Sequence, residues 1–91
     1  MNLGLPLAAH HGRIETTWEG LRLVVETRPD HAGWQLFVYE VENCEVLYAA
    51  KRSTCEEAKI ATVEFAVAHL YTTDHDLKPD VISHMLVWEP I

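Results

Sequence analysis

Positive charge is what this chain has least of. Lys and Arg number 7 against 14 Asp and Glu, for a net charge of −7. A nucleic-acid backbone is gripped by a Lys/Arg footprint, so direct binding to DNA or RNA is not expected. An anionic membrane surface is disfavoured for the same reason. Glycine is sparse as well. Gly4, Gly12, Gly20 and Gly33 stand singly, and no glycine-rich loop is present to cradle a phosphate. No apolar run reaches the roughly 20 residues that a membrane helix needs. The only cysteines, Cys44 and Cys55, lack the spacing of a metal or redox motif.

The first residues, Met1 to Ala9, are apolar but uncharged and are broken by Gly4 and Pro6. That is not the layout of a secretory signal. A cytoplasmic protein with reduced thiols is therefore the expectation, although one disulfide is arithmetically open.

What the chain does have is the composition of a folded domain. Its 91 residues are 48% hydrophobic and 23% charged, which excludes disorder and suits a single core. A domain this small hides only roughly 60–65% of its unfolded surface. Folding as a dimer would widen that thin margin.

Residues 1–12 carry no periodicity and read as an irregular N-terminal arm. From Arg13 the chain alternates: Ile14, Thr16 and Trp18, then beyond Gly20, Leu21, Leu23 and Val25. Period two is the mark of half-buried strands. Gly20 is either a hairpin turn or a bulge in one bent strand. Arg28 to Gly33 is a turn, with Pro29, Asp30 and Gly33 each suited to it. Trp34 to Val41 is the best strand, rich in aromatic and β-branched residues. Val46 to Ala50 resumes it beyond a two-residue turn at Asn43-Cys44 or a four-residue loop. The shorter turn would set Tyr39 opposite Tyr48 and Val41 opposite Val46. It also groups Leu47 and Ala49 with Trp34, Leu36 and Val38, and Val46 and Tyr48 with Phe37, Tyr39 and Val41. This strand pair is apolar on both faces, so something is expected to cover part of the second face. The N-terminal arm, the C-terminal segment and another subunit are the three candidates.

Ser53 to Tyr71 reads as the one long helix. Ser53 with Glu56, or Thr54 with Glu57, makes a capping box at its start. Two apolar stripes are legible along it. Ile60, Val63, Val67, Leu70 and Tyr71 form the one assigned to the sheet, while Ala58, Ala61, Phe65 and Ala68 form the one assigned to a partner element. Glu57 and Glu64 divide them along one edge, and Lys59, Thr62 and His69 along the other. The second stripe is covered either by the chain's own C-terminal segment or by a partner helix. Residues 79–89 form a short C-terminal helix or strand; helix is preferred because Pro79-Asp80 makes a good helix start.

Chemistry is sought and mostly not found. Of six histidines, His69 and His75 with Asp74 or Asp76 lie near a helix end, but lack the spacing of known zinc sites. Their plainer role is dipole compensation and solvated loop. Cys55 at a helix N-terminus would ionise easily, but Glu56 and Glu57 oppose this, and neither a base nor an oxyanion site is legible. The aromatics Trp34, Phe37, Tyr39 and Tyr48 have acidic neighbours and read as core, not as base-stacking platforms.

The run Gly33-Trp34 to Cys44, followed by Ser53-Thr54-Cys55-Glu56-Glu57-Ala58, resembles the HicB antitoxin pattern. There a glycine-aromatic strand leads through a Gly-Cys turn and a third strand to a Thr-x-x-Glu-Ala helix. The likeness spans about a third of the chain and implies a shared strand–strand–helix layout, which does not carry function with it. The family's prolines and the glycine before the Cys are missing, the stretch from Cys44 to Thr54 is longer, and no DNA-binding extension follows in these residues.

The expectation is an α+β domain over residues 1–91. Residues 13–51 form a three- to four-stranded antiparallel meander, and the main helix, residues 53–71, packs on one face of it. Functionally it reads as a non-enzymatic, homodimeric protein-interaction or regulatory module with no catalytic, metal or cofactor residue. Its interface would be Ala58, Ala61, Phe65 and Ala68. A second reading takes Glu40, Glu42, Glu45, Glu56, Glu57 and Glu64 as an acidic ridge. Such a ridge would imitate nucleic acid and block a nucleic-acid-binding protein, as small phage and mobile-element inhibitors do.

Overall fold

A computed structural model describes residues 12–28, 33–70 and 77–91. It shows an α+β fold: β1 (Arg13–Trp18), β2 (Leu21–Thr27), β3 (Trp34–Glu40) and β4 (Glu45–Arg52) are followed by helix α1 (Cys55–Leu70), helix α2 (Pro79–Met85) and a short β5 (Glu89–Pro90). The five strands make one antiparallel sheet in the order β4-β3-β2-β1-β5. The expected meander is present, and β5 extends it by pairing Glu89 and Pro90 with Glu15 and Ile14. The C-terminal segment is thus a helix and then a strand. The expected N-terminal arm lies, Gly12 apart, outside the described residues, and so does Tyr71.

Gly20 is a turn. Trp18 pairs with Leu21, and Glu19 and Gly20 between them have φ of 53° and 82°, the double positive φ of a two-residue hairpin that follows the sheet's twist. Of the turn expected at 28–33, residues 29–32 lie outside the described set. Its ends meet, Arg28 N donating to Gly33 O at 3.2 Å.

Between β3 and β4 the connection is the four-residue loop Val41 to Cys44. Cys44 takes φ 58° and donates its N–H to Glu40 O at 2.8 Å, while Glu45 N donates to Asn43 Oδ1 at 3.1 Å. The longer loop and a bulge between Val38 and Tyr39 change the register. Tyr39 opposes Val46, and Tyr48 opposes Val38. Tyr48 therefore joins the face of Leu36 and Val38, and Ala49 the face of Phe37, the reverse of what a two-residue turn would give. A one-residue shift exchanges the faces of a strand.

The core lies between α1 and one face of the sheet. Leu23, Val25, Leu36 and Val38 are each 0% exposed, and each contributes about 1.5–3 kcal/mol by leaving water. Against Val25 and Leu36 sit Ala58 and Ala61 of α1; against Leu21, Leu23 and Val38 sit Val63 and Ala66. Trp88 packs on both clusters, its Nε1 donating to Ser83 O at 3.1 Å and Lys59 Nζ lying 5.6 Å from its ring. Helix α2 packs on α1 and begins with Pro79 in its first turn, as its sequence predicts.

The face of α1 that meets the sheet draws on both expected stripes, Val63 and Val67 from the one assigned to the sheet and Ala58 and Ala61 from the other. Ala58, Ala61, Thr62, Val63 and Ala66 are the buried residues of α1, whereas Leu70 is exposed. Small residues let the helix axis approach a sheet already crowded by leucine and valine. Thr62 tolerates burial because its Oγ1 donates to the Lys59 carbonyl at 2.6 Å, so it leaves no orphan donor in the core. Thr54 supplies the cap, its Oγ1 accepting from Glu57 N at 3.1 Å.

Candidate interaction surface

The register sorts the opposite face of the sheet into rows. The first is polar: Arg13, Glu26, Gln35 and Lys51 lie across the four long strands. Glu26 accepts from Gln35 Nε2 and sits 3.3 Å from Arg13 Nε. The second row is Glu15, Val24, Phe37 and Ala49, and the third Thr17, Arg22, Tyr39 and Val46. Arg22 Nε lies 3.7 Å from Glu15 Oε1, so the β1 side of these rows is ionic. The β3–β4 side is apolar. Phe37 and Tyr39 are half-buried with ring centroids 6.1 Å apart, Ala49 is exposed, Val46 is 51% exposed, and Val41 at the loop is 41% exposed.

Among the described residues no helix lies on this face, because α1 covers the other side and α2 rests on α1. The C-terminal segment, one candidate cover, is spent on α1 and the β1 edge. A pocket of about 210 Å³ that includes Arg22, Tyr39, Val41 and Cys44 opens at the loop end. On the helix side, a shallow groove of about 520 Å³ runs beside β4, between Lys51, Arg52 and Ser53 and the α1 residues Glu57, Ile60 and Glu64. Both offer mixed ionic and apolar contacts of the kind a protein surface makes.

The expected partner interface, Ala58, Ala61, Phe65 and Ala68, does not form one exposed stripe. Ala58 and Ala61 are buried against Val25 and Leu36, so within one chain the sheet covers them. Phe65 is half-buried, with its ring stacked on Tyr48. Ala68 is exposed.

The six acids do not make one ridge. Glu40 and Glu45 are directly opposed and Glu42 sits in the loop between them. Glu56 and Glu57 lie beyond the far end of β4, about 23 Å away at ~3.3 Å per residue. There Glu56 Oε2 is 3.3 Å from His84 Nε2, and Glu57 shares the groove with Lys51 and Arg52.

That same strand separates the cysteines. Cys44 precedes β4 and Cys55 follows it, both are free, and the distance exceeds what a disulfide spans. Burial pushes the Cys55 thiol up, against the pull of Lys59 and with a further push from Glu56. The local field of the helix N-terminus does not yield an activated thiolate. His69 is exposed and stacks on Phe65 at 5.6 Å; Asp74, His75 and Asp76 lie outside the described residues. Among the described residues no three His, Cys, Asp or Glu side chains are grouped to hold a metal, and no helix is long and apolar enough to cross a membrane.

The outer face was legible only as a surplus of apolar residues in β3 and β4. Its boundary was missed because the bulge at Val38 and Tyr39 has no signature in the sequence. Comparison with protein-family models, with curated proteins and with solved structures finds no match to this chain.

Proposed function

We propose that this protein is a small non-enzymatic protein-interaction or regulatory module that works as a homodimer in the cytoplasm. The observation that carries the reading is the apolar part of the outer sheet face. Phe37, Tyr39, Val41, Val46 and Ala49 adjoin there, with no described helix over them. Val24 on this face is buried and Phe37 and Tyr39 are half-buried, but Val41, Val46 and Ala49 stay exposed, and exposed apolar surface of this kind is what association buries. The free, widely separated thiols suit a reducing compartment. Light scattering across micromolar concentrations tests the reading: the expected mass is twice the 10.4 kDa of one chain. A mass of one chain throughout would overturn it.

A second reading is supported by the loop end of β3 and β4, where Glu40, Glu42 and Glu45 gather. In that reading these three side chains stand in for phosphates and occupy the basic groove of a nucleic-acid-binding protein. Reversing all three to Lys abolishes such inhibition while the fold persists; inhibition that persists after the reversal rules it out.

A further inference from the structure

We infer that the second copy docks along the edge of β4 that no described strand occupies, the two β4 strands pairing antiparallel about a two-fold axis so that one sheet runs through both chains. This rests on the homodimer reading and names its seam.

The sheet has two edges, and they are built differently. At one, β5 is only two residues long and contains Pro90, which has no N–H to offer. A short proline-bearing strand is how natural sheets blunt an edge. At the other, β4 is the longest strand, eight residues, and among the described residues it pairs only with β3. Its interior, Val46 to Ala50, contains no charge, proline or glycine, and Val46 is 51% exposed. The bulge falls near its start, leaving Tyr48 to Arg52 in regular register with Val38 to Trp34. Those five residues present an undistorted row of outward backbone groups.

Charge then chooses both the occupant and its direction. β4 begins with Glu45 and ends with Lys51-Arg52. Matched end to end, so that the bulge at Leu47 lies within the seam, an antiparallel second β4 brings the acid of each copy to the basic end of the other, and does so twice, as an isologous contact requires. A parallel arrangement would set like charge on like. In the single chain, Arg52 Nη1 folds back to donate to the Lys51 carbonyl at 2.6 Å; pairing offers it the Glu45 carboxylate of the second copy. The approach is open on the helix side as well. α1 lies mainly over β2 and β3, and the groove between Lys51, Arg52 and the α1 residues Glu57, Ile60 and Glu64 flanks the edge.

A charge swap measured by analytical ultracentrifugation tests this. Glu45→Lys makes both ends of β4 basic, and Lys51→Glu with Arg52→Glu makes both ends acidic. Circular dichroism checks that each variant keeps the fold. Each alone is expected to dissociate at a concentration at least about tenfold higher than the unaltered protein. An equimolar mixture of the two, and the chain carrying all three changes, are expected to recover the dimer. A dimer that is equally tight in both same-sign variants would place the seam elsewhere and overturn the edge, leaving the homodimer standing. A mixture or triple variant that does not recover would overturn it too. An unaltered protein that sediments as a single chain would overturn the homodimer reading itself.

Discussion

The rings of Tyr48 on β4 and Phe65 on α1 are stacked, with centroids 4.7 Å apart and planes within 4°. This contact ties the edge strand to the helix at the place where α1 otherwise gives β4 little cover. Offset stacking adds to the area that the two rings bury. Phe65→Ala is expected to cost about 2–3 kcal/mol, below the full-burial range because the ring is half-buried. Phe65→Leu recovers part of that. Urea denaturation of the two variants beside the unaltered protein measures the difference.

Among the described residues, two that are not glycine sit in the left-handed region, Glu19 at φ 53° and Cys44 at φ 58°. Both occupy hairpin connections and both are exposed, so the backbone is held there by the turn and not by packing. An L side chain pays roughly 1–2 kcal/mol in that conformation, and Asn or Gly pays less. Glu19→Asn and Cys44→Gly are each expected to stabilise by about 0.5–1 kcal/mol. In a domain this size that raises the thermal midpoint by about 2–8 °C. Calorimetry on the single variants checks it, and the two increments should add, since the turns are independent.

Those turns also show where sequence reasoning stopped. Alternation in Ile14–Trp18 and Leu21–Val25 exposed the hairpin and its buried side. It could not decide whether Gly20 turned or bulged, because that depends on Trp18 and Leu21 meeting across the sheet. The class of fold and the span of α1 were legible in the same way, from period and capping residues. The face of α1 was not. Thr62 counts as polar by type and split the apparent stripes, yet its hydroxyl is satisfied by its own helix at the Lys59 carbonyl. With Thr62 read as neutral, Ala58, Ala61, Thr62, Phe65 and Ala66 become one continuous stripe at helical spacing. The candidate surface was half legible: Phe37 and Tyr39 were placed on one face, but Ala49 was put on the wrong side of β4 by a bulge that only pairing reveals.

Ser83 is 2% exposed, and its Oγ has no hydrogen-bond partner among the described residues. A hydroxyl buried in that state has given up water for nothing. The main-chain carbonyl of Ser83 still accepts from Trp88 Nε1, and this contact does not need the side chain. Ser83→Ala is therefore expected to leave stability unchanged or raise it by about 0.5–1 kcal/mol. Ser83→Val should lower it instead, because the site is already closed around a small residue. Guanidinium unfolding curves for the pair separate an unsatisfied hydroxyl from a tight one.

Cys55 links the helix start to pH. Its thiol is raised above the ordinary value of 9.0 by burial first, with Lys59 pulling down and Glu56 pushing up. In the unfolded chain the thiol ionises at its ordinary value. Between that point and the raised one, the unfolded state has released a proton that the folded state keeps. The contribution to stability is thus fully present below the ordinary value and is lost as pH rises through the raised one. The unaltered protein is expected to lose stability above about pH 9 more steeply than Cys55→Ala, with the two curves parallel at neutral pH. Thiolate is also the species that reacts with alkylating agents. Iodoacetamide followed by mass spectrometry should accordingly label the exposed Cys44 before Cys55. Equal labelling rates, or a Cys55→Ala profile that falls in step with the unaltered protein, would show that burial does not hold this thiol protonated.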